Sequence, residues 1–212
     1  MTETAWGLFV VVAVAAVADW VAVGRSNLRL EYFAKPATLL ALIGVAVVLH
    51  PTHADQRAWF VVALVCSLAG DVFLVLPTDR FVAGLASFFA AHVAYVIGFS
   101  LHGGSARALT VAAVPVLGGA FVLATKYVRS LRRGGHTELV GPVLAYVVVI
   151  AAMVSSALAT GDVVAGAGAL LFMVSDSLIG WHRFVKPQGW APVAIHVTYH
   201  VGQVGLVLAL VR

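Results

Sequence analysis

Ser67-Leu68-Ala69-Gly70-Asp71-Val72-Phe73-Leu74-Val75-Leu76-Pro77 places a single carboxylate inside an otherwise apolar run. The chain repeats the device in Gly168-Ala169-Leu170-Leu171-Phe172-Met173-Val174-Ser175-Asp176-Ser177-Leu178. An isolated carboxylate is costly to place in an apolar medium, so both residues need a reason. Their surroundings set the fold class. Of 212 residues, 62% are hydrophobic and 10% charged, with a mean hydropathy of +1.02. A soluble domain carries roughly 25% charged residues, so this chain lacks the polar surface that water requires.

A membrane-spanning helix needs about 20 predominantly apolar residues. The chain divides into eight such segments, near 5–23, 34–50, 58–76, 82–101, 108–127, 138–159, 163–180 and 191–211. The expectation is an all-α membrane protein of eight transmembrane helices, a single integral domain over residues 1–212. A β-barrel does not fit, because the apolar runs are continuous rather than alternating. Ala16-Val17-Ala18 resembles a signal-peptidase site, but Glu3 and no basic residue precedes it, so the first helix is expected to be retained. The lone Cys66 excludes an intrachain disulfide framework. The basic character is no sign of nucleic acid, since the Lys and Arg residues sit in loops between spans.

Those loop charges give an orientation. The loops after spans 1, 3, 5 and 7 hold Arg25, Arg29, Lys35, Arg80, Lys126, Arg129, Arg132, Arg133, Arg183 and Lys186. The other loops and the termini hold only Arg57, Arg107 and Arg212. Both termini are therefore expected outside the cytoplasm. Asp71 then lies about 8 Å inside the cytosolic end of span 3, at 1.5 Å per residue, and Asp176 lies at a similar depth in span 7. His196, Tyr199, His200 and Gln203 share one face of span 8. His92 and Tyr95 sit near mid-membrane, Tyr146 in the cytosolic half, and Glu31 and Lys35 at the cytosolic start of span 2. The polar chemistry is confined to one leaflet.

The two halves echo each other. Gly70-Asp71, Arg80-Phe81 and His92-Val93-Ala94-Tyr95 correspond to Ser175-Asp176, Arg183-Phe184 and His196-Val197-Thr198-Tyr199. Lys35-Pro36 corresponds to Gly141-Pro142 at a similar offset. We expect two parallel four-helix repeats, near 1–106 and 107–212, related by a pseudo-two-fold axis along the membrane normal. Sites in such proteins often lie at the repeat interface, which would bring Asp71 and Asp176 towards each other.

Lys35-Pro36, Gly70-Asp71 with Phe81, His92-x-x-Tyr95, the run from Gly168 to Ser177, Arg183-Phe184, and Tyr199 with Gln203 together resemble the YhhN/TMEM86 family. The likeness runs from Lys35 to the end of span 8 and is most specific over 168–184. It implies an eight-helix membrane protein and, from the lysoplasmalogenases in that family, hydrolysis of a lysoplasmalogen vinyl ether to a fatty aldehyde and a glycerophospho-base. Vinyl ethers resist bases and yield to acid: protonation of the β-carbon gives an oxocarbenium ion, which water then attacks. Two carboxyl groups suit that sequence, one as proton donor and one as base and charge stabiliser. Burial and mutual approach favour one of such a pair holding a proton near neutral pH. Asp71 and Asp176 are thus the candidate catalytic residues, with donor and base unassigned. Lys35 and Arg183 are candidate phosphate partners. His92, Tyr95, Tyr146, His196 and Tyr199 are candidate orienting groups. The substrate implied is a lysophospholipid drawn from the membrane, and neither cofactor nor metal is expected.

Structural roles compete with each of these readings. The aspartates could cap helices or pair with Lys35 and Arg183, the histidines could bridge helices, and Lys35 could snorkel. His200 and Gln203 read as groups satisfying polar contacts. A proton-coupled transporter is the alternative function, since parallel repeats and paired carboxylates also suit a carrier. Lipid binding without catalysis is a third.

Overall fold

The computed structural model describes residues 3–212. It forms eight long helices: α1 (Glu3–Gly24), α2 (Leu28–Val48), α3 (Ala54–Val75), α4 (Phe81–Leu101), α5 (Ala106–Arg133), α6 (Val140–Ala159), α7 (Val163–Gly180) and α8 (Ala191–Leu208). All eight are long and apolar enough to cross a bilayer. Large apolar side chains point outward on every side, among them Val14, Phe33, Phe121 and Val148. An exterior of that kind is stable only against lipid. The chain is an integral membrane protein.

Two helices depart from the expected spans. Leu28 rather than residue 34 opens α2, because Asn27 caps it by accepting from the Leu30 N–H at 3.2 Å. Pro36 therefore lies inside the helix, and Lys35 is lifted into the bundle. The 28 residues of α5 run to Arg133, about 42 Å at 1.5 Å per residue, against a hydrocarbon core of about 30 Å. Its last turns, bearing Lys126, Arg129, Arg132 and Arg133, extend the apolar span with a basic one.

Sequential helices pack as hairpins, α1/α2, α3/α4, α5/α6 and α7/α8, joined by α2/α3 and α6/α7. Contacts α4/α6 and α2/α8 close six of them into a ring in the order α2, α3, α4, α6, α7, α8. The least buried helices, α1 and α5, lie outside it. Most of these pairings occur in both halves, as two repeats would require. However, α1 packs on α8, whereas α5 turns to a π-helical segment, Trp181–Val185, between α7 and α8. The two-repeat arrangement remains a proposal resting on those pairings.

Close backbone approach fixes α7 against α8. A Cβ at Gly168 would stand 2.9 Å from the Gly202 carbonyl oxygen, and one at Gly202 equally close to the Gly168 oxygen. Lipid supplies no hydrophobic drive for such contacts, so small residues and van der Waals packing do. In the half of the bundle remote from the basic loops, Phe60, Phe99, Leu64 and Met153 are fully buried. Phe60 packs edge-on against both Tyr95 and Phe99, each at 5.0 Å between centroids.

Candidate active site

Asp176 lies in the last turns of α7, one turn beyond Phe172. Its Oδ2 accepts the Tyr146 hydroxyl of α6 at 2.6 Å and lies 3.0 Å from His92 Nε2 of α4. His92 Nε2 is also 3.0 Å from the Tyr146 oxygen. With the tyrosine proton directed at Asp176, the His92 Nε2–H is the donor in this triangle. His92, Tyr146 and Asp176, chosen from the sequence, thus meet at one point.

Asp71, near the end of α3, has other partners. Its Oδ2 accepts the Tyr199 hydroxyl of α8 at 2.8 Å, and its Oδ1 stands 3.3 Å from Lys35 Nζ of α2. Lys35 is buried and neutralises this carboxylate, so it is not free for a phosphate.

The two aspartates share no partner. Between their clusters stand Phe88 of α4 and Phe172 of α7. The Phe172 ring is 4.7 Å from the His92 ring and 5.3 Å from the Tyr199 ring. Phe88 meets both Phe172 and Tyr199. The expected mutual approach of Asp71 and Asp176 is not a direct contact: Phe88 and Phe172 stand between their partners.

The remaining candidates go elsewhere. Tyr95 donates to Gln203 Oε1 at 2.6 Å, deep in the core. His196 turns away from both catalytic candidates: its Nδ1 is 2.6 Å from Asp19 Oδ2 of α1. Arg183, in the π-helical turn, binds Asp79 at 2.6 Å and stacks over the Phe81 ring at 4.1 Å. The Arg183 guanidinium holds the Asp79 carboxyl below its usual range of 3.8. The sequence reading passed over Asp19. Its signal was present: it is a third acid within an apolar span, near the same end as the other two.

A narrow crevice of about 70 Å³ opens between α4, α5, α6 and α7. Its walls are apolar, including Leu85, Leu123, Val147, Ile150 and Met173, and Asp176 is the one charged residue among those lining it. Phe81 and Phe184 border this crevice and also a polar basin of about 670 Å³ that contains Asp79, Arg80, His136 and Arg183. Their rings meet edge-to-face at 5.5 Å. An apolar slot holding one carboxyl thus adjoins a cationic basin across a single aromatic pair. Among the described residues, no group of three or more His, Cys, Asp or Glu could hold a metal ion.

The profile of the YhhN family matches residues 30–210. The chain belongs to the YhhN family. Among its relatives, the human protein named lysoplasmalogenase TMEM86B is 34% identical over 190 residues, covering 87% of this chain and 78% of the relative. A Mycobacterium tuberculosis protein named lysoplasmalogenase is 31% identical, covering 85% and 69% respectively. Human lysoplasmalogenase TMEM86A is 32% identical, covering 71% and 64%. No solved structure matches. The family match spans both aspartates, the crevice and the basin, and excludes the whole of α1, where Asp19 lies.

Proposed function

We propose that this protein is a lysoplasmalogenase-type hydrolase that cleaves the vinyl ether of a lysophospholipid within the membrane. The observation that carries the reading is Asp176 as the sole carboxyl on an apolar crevice that adjoins a cationic basin. A single-chain lipid matches the chemistry of both parts: the apolar walls suit its alkenyl chain once the narrow crevice widens to admit it, and Arg80 and Arg183 suit its phosphate. The relatives named lysoplasmalogenase support the same chemistry.

Asp176 is the proton donor in this reading. No Lys or Arg pairs with it, whereas Asp71 has Lys35 at 3.3 Å. The Tyr146 hydroxyl and the His92 N–H strengthen their bonds to Asp176 as negative charge appears on it, which is the moment its proton moves to the β-carbon. Interactions that grow in the transition state are those that accelerate the step. Asp71, ionised beside Lys35, is the second catalytic carboxylate. It favours the positive charge of the oxocarbenium ion through the Phe88–Phe172 layer, while Asp176, left as a carboxylate once its proton has moved to the β-carbon, accepts a proton from the attacking water. Water oxygen bonds to the α-carbon, and the hemiacetal then breaks to aldehyde and glycerophospho-base. With the basic loops cytosolic, the site opens to the cytosolic leaflet and both termini lie outside the cytoplasm.

A transporter would need a polar path through the far half of the bundle. There Phe60, Phe99 and Met153 are packed and buried, and no observation favours transport. The test is fatty aldehyde release from lysoplasmalogen by the purified protein, with alkyl and ester lysolipids as controls. Aldehyde from the vinyl ether alone, lost in Asp176→Asn and Asp71→Asn, supports the reading. Absence of turnover by a folded, lipid-stabilised sample overturns it.

A further inference from the structure

The crevice beside Asp176 holds about 70 Å³, whereas sites that enclose a small-molecule ligand run to about 300–1,000 Å³. A lipid chain therefore enters only if a wall moves. Of the four helices lining the crevice, α4, α6 and α7 belong to the six-helix ring and α5 stands outside it. α5 is also the least buried of the eight helices. Its outward side chains, among them Leu117, Phe121 and Val122, are exposed where lipid lies. The wall least held by the bundle is the one that faces the bilayer.

A weak point lies just before that wall. Pro115 sits inside α5 and removes one backbone hydrogen bond of the helix, and Gly118 and Gly119 follow within about a turn. A Cβ built on either glycine meets no atom within 4 Å. Packing does not ask for glycine there, in contrast to Gly168 and Gly202. A proline followed by two such glycines makes a helix that bends at that place. The core divides at the same point. Ala120 is the last buried α5 residue in the main apolar core, whereas Tyr127 and Leu131 form a separate small cluster with Val143.

The far end of α5 is fastened by a few specific contacts. Tyr127 donates its hydroxyl to the Ser177 carbonyl at 2.8 Å, and Ser130 donates to the Phe184 carbonyl. One acceptor is in the last turn of α7 and the other in the π-helical segment Trp181–Val185. Lys126 stands 4.9 Å over the Trp181 ring. The Tyr127 ring lies against Gly180, where a Cβ would come within 3.0 Å of it. Ser177 directly follows Asp176, and Phe184 divides the crevice from the basin. Weak point, wall and fastening thus succeed one another along residues 115–130.

We propose that residues 121–133 of α5 form a side door that swings about residues 115–119 to admit a single-chain lipid from the bilayer into the crevice, with Tyr127 and Ser130 as its latch. The identity of that lipid as a substrate rests on the function proposed above; the hinge and the latch do not. Lateral entry suits an amphiphile already dissolved in the membrane, because its chain never has to cross water. Reclosure surrounds Asp176 with apolar walls while the bond is broken, as closing segments do in other enzymes. Tyr127 and Ser130 are positioning residues: they act through the helix they fasten.

Distances between spin labels on the full chain in lipid nanodiscs test the door without requiring turnover. In a Cys66→Ala background, Arg129→Cys beyond the hinge and Val111→Cys before it are each paired with Leu40→Cys on α2, all three sites being exposed. The probe is a saturated alkyl-ether lysophospholipid, which has no vinyl ether to cleave. The expected result is a second distance for the Arg129→Cys pair when the probe is added, while the Val111→Cys pair keeps one. A single unchanged distance for both pairs overturns the proposal. Gly118→Ala with Gly119→Ala fits the open space at both positions. This double variant is expected to suppress the second distance, to keep or raise Tm, and to lower kcat/KM at least about tenfold. Wild-type kcat/KM in the stiffened helix overturns the door as the lipid's route. Tyr127→Phe, which opens the latch, is expected to show the second distance without the probe. A second distance in a protein that releases no aldehyde leaves the door standing and overturns the hydrolase reading; aldehyde release with one fixed distance does the reverse.

Discussion

Tyr199 on α8 and Asp71 on α3 are joined by a 2.8 Å hydrogen bond, although 128 residues separate them in the chain. The corresponding tyrosine of the first half, Tyr95, makes no such bond to Asp176 and turns to Gln203 instead. Two similar strings of residues have therefore been given different partners, and the two aspartates different chemical surroundings.

The Asp176 triangle is expected to act as a unit. Asp176→Asn removes the acid and lowers kcat by about 10²–10⁴-fold, the range of a general acid. Tyr146→Phe removes one hydrogen bond to a charged group, worth about 1.5–3 kcal/mol, and is expected to lower kcat at least tenfold. Aldehyde release measured over a substrate series separates these effects from KM. A Tyr146→Phe variant with wild-type kcat sinks the assignment of Asp176 as donor.

Lys35→Met strands Asp71 as a buried charge. Breaking a buried pair from one side costs about 3–5 kcal/mol, so a marked fall in Tm in detergent or nanodiscs is expected. Adding Asp71→Asn removes the stranded charge and is expected to restore much of the stability without restoring activity. A double variant as unstable as the single one argues against the Lys35–Asp71 ion pair.

If the crevice takes the alkenyl chain as proposed, it reads chain length. Val147→Phe or Met173→Trp narrows it and is expected to raise KM for long alkenyl chains more than for short ones. Equal effects on all lengths place the chain elsewhere.

The Arg183–Asp79 pair lies in the basin, outside the spans. Arg183 lowers the Asp79 pKa, so the pair's contribution is complete above the ordinary value of 3.8 and is lost only as pH falls through a still lower one. An exposed pair of this kind contributes little to stability. Arg183→Ala is accordingly expected to leave Tm nearly unchanged from pH 5 to 8, while raising KM for phosphate-bearing substrates. A KM that does not move takes Arg183 out of head-group binding.

Gly202→Val drives a side chain into the Gly168 carbonyl and the Phe172 amide, both 2.9 Å from the Cβ position. Backbone cannot yield as a flexible side chain can, and a destabilisation of about 1–3 kcal/mol or more is expected from overpacking. Thermal unfolding measures it, and an unchanged Tm contradicts the α7–α8 contact.

The sequence made the spans legible because lipid demands apolar length, and that demand is local. It also showed which end holds the polar chemistry, since Asp71, Asp176, His196 and Lys35 all fall near basic loops. Partner choice was not legible. The one-face spacing of His196, Tyr199, His200 and Gln203 was correct, yet a helix face is wide enough to serve several neighbours. His196 and His200 turn to α1, Tyr199 to α3 and Gln203 to α4. Periodicity tells which residues point inward, and only the packing of the ring tells towards what. Asp19 was missed for a related reason: no repeat partner drew attention to it.

The Phe81–Phe184 pair separates the apolar crevice from the polar basin. In the reaction proposed above, cleavage beside it would sort the products by solubility. The fatty aldehyde would be left on the apolar side, free to diffuse sideways into the bilayer, and the glycerophospho-base on the polar side, with no tail to retain it. The fragments would part into different phases as the bond breaks, so that recombination would be rare and the crevice clear for the next lipid.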